Sequence, residues 1–331
     1  IGVLLGGVLT QYASWRWCLF INVPIAVIGA VAASRVIGES RASGTTRYDI
    51  PGAVLSTAGL VSLVYGFTKA VSDGWTSTTT LTLISIGVFL LAAFVVVEAR
   101  STHPLLPLRV VLERNRGGSY LAATLLVVGI FAMFIFISYY MQTILGYSAA
   151  KAGVAFLPFA LGVIVAAGAA TTLLPKLGPR ITMTFGLALA AGGLLWLTKI
   201  GVHTSYWTHV CPQLIIMSLG MGLAFTALSS TALTKVQERD SGVASAVLNS
   251  TQQVGASLGA ALLNTIAATA TATYLASHGP RLEQQALVHG FTRAILVGAI
   301  IVAAGAVVSA VLVNAKPADL VPAAEPALSD A

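Results

Sequence analysis

Nine stretches of this chain are long, apolar and almost free of charge, at roughly 18–37, 50–68, 80–97, 119–141, 152–174, 181–198, 208–233, 243–272 and 291–313. A helix needs about 20 such residues to cross the hydrocarbon core of a bilayer. Only helices and closed barrels can satisfy their backbone there, and the sustained alternation that marks barrel strands is absent. The expected fold is therefore all-α, a polytopic membrane helical bundle. A tenth run, 1–10, is too short for a crossing and reads as the tail of a span begun upstream. No signal peptide precedes it, and because the first residue is Ile1 the sequence is expected to be truncated at its N-terminus. Composition agrees: of 331 residues, 56% are hydrophobic and 9% charged, whereas a soluble domain carries roughly 25% charged residues. A soluble enzyme could not cover its surface with so little charge.

The connecting segments predict orientation. One alternating set holds Arg35, Arg41, Arg47, Arg100, Arg109, Arg114, Arg116, Lys176, Arg180, Lys235, Arg239 and Lys316, and the other holds Arg16, Lys69, Lys151, Lys199, Arg281 and Arg293. The first, richer set is expected in the cytoplasm, which puts the C-terminus there too. Trp15, Trp17, Trp75, Trp196 and Trp207 all fall at the opposite ends, as an interfacial belt would. The Pro- and Ala-rich tail after Asn314 is expected to be a disordered end.

The motifs sharpen this reading. Gly2, Gly6 and Gly7 place small residues on one helix, where they let backbones approach closely. A short loop follows, then Trp15-Arg16-Trp17-Cys18-Leu19-Phe20-Ile21-Asn22-Val23-Pro24-Ile25. Together these segments resemble the fifth and sixth helices of the 14-helix drug:proton antiporter branch of the major facilitator superfamily. The glycine run resembles that branch's antiporter motif, GPxxGG, with Val3 at the proline position. Gln142 to Pro158 is similar to the branch's outer loop after helix nine, and Gly242 to Leu263 to its thirteenth helix. Lys176-Leu177-Gly178-Pro179-Arg180 resembles the second-half copy of the superfamily's basic loop motif, with Pro175 where an acid is common.

The resemblance implies a major facilitator fold of which about 10 helices of an original 14 are present. Residues 1–38 would end the first six-helix half and 48–99 would be the extra helix pair. Residues 100–117 would be a cytoplasmic linker, 118–313 the second six-helix half and 314–331 a cytoplasmic tail.

Candidate site residues are polar or aromatic groups inside spans. Met133, Phe134 and Gln142 on one helix, and Phe225 on another, are candidates for a cavity wall, since aromatics and Met line forgiving pockets for apolar cations, although the same types equally face lipid or a neighbouring helix. Asn249 and Gln253 lie four apart on one helix face. They either bond a neighbouring helix or, as the resemblance implies, border a central cavity. Gly255 and Gly259 are expected to serve packing alone. Asp49, Lys69 and Glu98 lie at span ends, where snorkelling accounts for them. Cys18 and Cys211 read as inert thiols, and His103, His203, His209, His278 and His289 show no metal-ligand spacing. No span carries a central acid, so the proton-coupling residue is unknown within this chain and expected upstream of Ile1.

The function expected is secondary active transport, namely proton-driven efflux of drugs or amphipathic compounds. A metabolite or lipid-precursor exporter of the same fold is the alternative. A membrane-embedded enzyme would need convergent acids, bases or metal ligands at one depth, and the spans lack them. No cofactor is expected beyond the proton gradient. The expected partners are small amphipathic substrates and the lipid bilayer of the cell membrane, with no nucleic acid and no obligate protein partner.

Overall fold

The computed structural model describes residues 2–36, 49–101, 104–234, 236–237 and 240–317, without the side chains of Val3 and Ala132. Arg41, Arg47, His103, Lys235, Arg239 and the tail after 317 lie outside the described residues. Every regular element among the described residues is helical.

The chain opens with α1 (Gly2–Tyr12), α2 (Trp17–Phe20) and α3 (Asn22–Val36). The span expected at 18–37 is present as Trp17–Val36, in which Ile21 keeps helical angles but one backbone bond is lost, because Pro24 has no N–H to return to the carbonyl of Phe20. An antiparallel hairpin follows, α4 (Ile50–Asp73) and α5 (Thr78–Arg100), with Asp49 and Ser77 capping the two N-termini. The linker region forms the short α6 (Leu108–Leu112) and the first turn of α7 (Arg114–Tyr139). That turn is capped by Glu113, whose carboxylate accepts from the N–H groups of Asn115 and Arg116 at 3.1 and 2.9 Å.

Then come α8 (Ala149–Ala155), α9 (Leu157–Leu197), α10 (Cys211–Leu233), α11 (Ser241–His278) and α12 (Glu283–Leu312). Eight helical segments among the described residues are long and apolar enough to cross a membrane, and one of them, Ala149–Leu197, runs for 49 residues. Gly178 breaks it, with φ 83° and ψ 163°, so it makes two passes joined at the Lys176–Arg180 motif. A side chain at Gly178 would be strained by that φ and would crowd Pro317, whose Cδ lies 3.1 Å from the Cβ position.

The core sits among α7, α9, α10, α11 and α12, around fully buried Met183, Leu187, Leu194, Leu214, Met217 and Leu228. Small residues set the helix spacing. A Cβ on Gly193 would stand 2.9 Å from the backbone N of Met217 in α10, and one on Gly259 would stand 2.9 Å from Cα of Val128 in α7. Gly255 abuts the carbonyl of Thr124 at 2.7 Å in the same sense, so both α11 glycines are packing residues, as expected.

The α4–α5 hairpin docks on α11 through Phe67, Ala70 and Ala261. Trp75 donates its indole N–H to Thr265 Oγ1 at 3.0 Å. This residue is therefore tied to a helix, while Trp15, Trp17, Trp196 and Trp207 are exposed as belt residues would be. Lys69 pairs with Asp73 at the surface, 3.7 Å away. Glu98 departs from expectation: it is 3% exposed and does not snorkel, because the 104–107 segment folds over it.

The glycine packing generates a test. Gly259→Leu is expected to cost about 1–3 kcal/mol through overpacking, read as a lower melting temperature of the purified protein in detergent. Gly168→Ala, where a Cβ meets nothing within 4 Å, is expected to leave it unchanged.

Candidate functional site

The upper part of α7 is built to expose some polar groups while burying their neighbours. After Tyr139 the helix widens into a π turn, Tyr140–Ile144, closed by Leu145 N donating to Tyr140 O at 3.1 Å. The widening keeps Tyr140 and Met141 fully buried, with the Tyr140 hydroxyl donating to the Gly201 carbonyl at 2.8 Å. Gln142 and Thr143 then face outward, beside Phe134, Ile135, Ser138 and Tyr139, along an open cleft of about 690 Å³. Single-turn π bulges of this kind recur at functional sites. Phe134 packs against Phe156 and Phe159, ring centroids 5.4 and 5.1 Å apart, so the cleft has an aromatic wall braced by α9. Gln142 Nε2 donates to Ser138 O at 3.3 Å, within its own helix.

Of the expected cavity residues, the structure brings Phe134 and Gln142 to one cleft. Met133 is fully buried in the core and does not reach it, since adjacent residues on a helix point about 100° apart. Phe225 is 38% exposed on α10. Asn249 and Gln253 are exposed on α11, and Asn249 Nδ2 donates to Ser245 O at 3.0 Å in its own helix. Among the described residues neither side chain bonds another helix, so the α11 stripe is uncovered. The reason is rotational: Gly255 and Gly259, which meet α7, lie about a third of a turn around the helix from Asn249 and Gln253.

Of the expected antiporter-motif glycines, Gly7 carries the contact. A Cβ there would stand 2.5 Å from the Ala149 carbonyl, and Gln11 Oε1 accepts from Ala150 N at 2.9 Å, so α1 packs on the start of α8. Gly6 lies 4.0 Å from Cys18 Sγ at its Cβ position, and Gly2 faces open space. Cys18 and Cys211 are free thiols.

Sequence reasoning missed a second cleft. Between α11 and α12, about 700 Å³ is lined by Thr265, Thr269, Tyr274, His278, His289 and Arg293, among others. Tyr274 stacks on His278 at 4.2 Å and lies 5.0 Å from His289. The sequence carries the signal as two pairs four apart, Tyr274 with His278 and His289 with Arg293, which metal-ligand spacing does not pick out. A third cleft of about 550 Å³, apolar, separates the hairpin from α7 and α11 and is lined by Leu60, Leu91, Phe94, Val243 and Val247, among others. Among the described residues no three His, Cys, Asp or Glu side chains converge as metal ligands. Aromatic faces, an amide and hydroxyls are groups for holding an amphipathic molecule.

Comparison with known proteins agrees with this architecture. The profile of the Major Facilitator Superfamily matches residues 1–260. The puromycin resistance protein pur8 of Streptomyces alboniger is 41% identical over 321 residues, covering 96% of this chain and 64% of that protein. The cephamycin export protein CmcT of Amycolatopsis lactamdurans is 36% identical, covering 84% of this chain and 58% of its own length. The tetracenomycin C resistance and export protein of Streptomyces glaucescens is 28% identical, covering 81% and 50%. The chain thus spans between half and two thirds of the length of these curated relatives. With its multiple apolar helices and this match, the chain belongs to the major facilitator superfamily of multi-pass membrane transporters.

Proposed function

We propose that the protein carrying this chain exports amphipathic small molecules, antibiotics among them, in exchange for protons. The observation that carries this reading is the uncovered aromatic and amide surface at Phe134 and Gln142. It is supported by relatives named for puromycin resistance and cephamycin export. In this reading α1–α3 end the first half, α4–α5 are the extra pair, and α7–α12 form the second half. Substrate binds between the halves and is released by rocking of one on the other. The protein acts as a carrier and not as an enzyme, and needs no cofactor besides the proton gradient and no obligate protein partner. The C-terminus lies in the cytoplasm.

Transport is tested in cells expressing the intact protein. Puromycin is expected to accumulate less than in vector controls, and a protonophore is expected to abolish the difference. Phe134→Ala is expected to weaken apparent puromycin affinity roughly tenfold, the equivalent of about 1.4 kcal/mol. Accumulation equal to the vector control, or efflux indifferent to the protonophore, contradicts the reading.

Orientation is tested separately, in a Cys18→Ser background. His278→Cys is expected to react with a membrane-impermeant maleimide in intact cells, and Lys176→Cys only after permeabilisation. The reverse pattern would overturn the topology.

A further inference from the structure

At the open end of the α4–α5 hairpin two acids meet in a buried space. Asp49 caps α4, its Oδ1 accepting from Gly52 N at 2.8 Å. Glu98, in the last turns of α5 and 3% exposed, accepts from Leu106 N at 3.0 Å through Oε2. Each carboxylate thus spends one oxygen on a backbone N–H. The other two, Asp49 Oδ2 and Glu98 Oε1, are buried and have no hydrogen-bond partner among the described residues. Both flank the point that a Cβ on Gly52 would occupy, at 2.9 and 2.7 Å respectively, and the absence of that Cβ is what leaves the space between them.

Among the described residues no cation enters this space. Arg109 of α6 pairs with Asp240 at 2.9 Å, Arg116 of α7 stands 3.6 Å from Glu113, and Arg100 at the end of α5 is exposed. α11, which packs on the hairpin, contributes no charged side chain along its packed face near the apolar cleft. Two ionised carboxylates flanking this point would repel, with their unpartnered oxygens shut off from water. One proton converts that repulsion into a hydrogen bond and gives both orphan oxygens a partner. The remaining single negative charge is shared by the N-terminus of α4 and the Leu106 N–H, which suit it.

We propose that Asp49 and Glu98 share one proton across Gly52, forming a proton-binding site that clasps the hairpin to the linker. The proton comes from solvent water, sits between Glu98 Oε1 and Asp49 Oδ2, and leaves the pair with one charge. With it bound, the start of α4, the end of α5 and the Leu105–Leu106 segment are held together. Without it, the two carboxylates push apart and the linker loses its anchor. That linker continues into α6, whose Arg109 is bonded to Asp240 at the start of α11, so the clasp lies on the route from the hairpin to the second half. The site is distinct from the α7 cleft, and it does not depend on what the protein transports.

Infrared spectroscopy of the intact purified protein in lipid nanodiscs tests this, with the glutamate carboxyls labelled with heavy carbon. At neutral pH the wild type is expected to show a protonated carboxylic-acid carbonyl band, part of which shifts with the label. One equivalent of acid carbonyl per chain is expected to disappear in Glu98→Gln and in Asp49→Asn, because an amide then donates in the proton's place. If neither amide variant inserts, Gly52→Ala gives the same reading, since its Cβ displaces the two oxygens from each other. Acid-carbonyl absorbance identical in wild type and variants, or no band in the wild type, overturns the proposal.

Discussion

Inside a bilayer no hydrophobic force draws one helix to another, so helices associate where their surfaces can come close. This structure meets that constraint with glycine. Gly186 of α9 lies where a Cβ would stand 2.6 Å from the backbone N of Ala224 in α10, and Gly193 meets Met217 in the same way a turn or two along. Gly255 and Gly259 do the same between α11 and α7, and Gly87 does so within the hairpin, 2.8 Å from the N of Leu63. The buried core, the rotation of α11 and the outward stripe at Asn249 and Gln253 all follow from where these contacts fall.

Polar ties at the helix ends add to these close contacts. Arg114 donates to the Val311 carbonyl at 2.7 Å, placing a cation at the C-terminal end of α12 where the helix dipole favours one. Asn115 Oδ1 accepts from Asn314 N at 2.6 Å beside it. Trp75 ties the hairpin to Thr265 at its turn, while Glu98 and Leu106 hold its open end. The hairpin is thus fixed at both ends with an apolar cleft between, which leaves the α7 cleft free of it.

Much of this was legible beforehand. Hydropathy located each crossing, since a span of apolar residues in this setting has few alternatives to a helix. The tightness of the break at Gly178 was not legible: a run such as Lys176–Arg180 marks a turn but does not say that helix resumes on either side of one residue with no intervening loop. Phe134 and Gln142 could be picked by residue type, yet Met133 could not be separated from Phe134 without the helix rotation that tertiary packing decides. Glu98 was misread for a related reason. Position at a span end suggests solvent, whereas its burial depends on a segment several residues later folding back to donate the Leu106 N–H. The pairing of Tyr274 with His278 and His289 likewise needs two helices to be seen side by side.

Under the proposed function, the uncovered face of α11 is expected to line a water-filled path in the intact protein while its glycine face packs against α7. Cysteine scanning of α11 in native membranes tests it most directly, using a small water-soluble thiol reagent in a Cys18→Ser background. The account predicts rapid modification of Asn249→Cys and Gln253→Cys, slowed by bound puromycin, and none of Gly255→Cys or Gly259→Cys in protein that still inserts. Unreactive positions 249 and 253, or reactivity spread evenly around the helix, would contradict it.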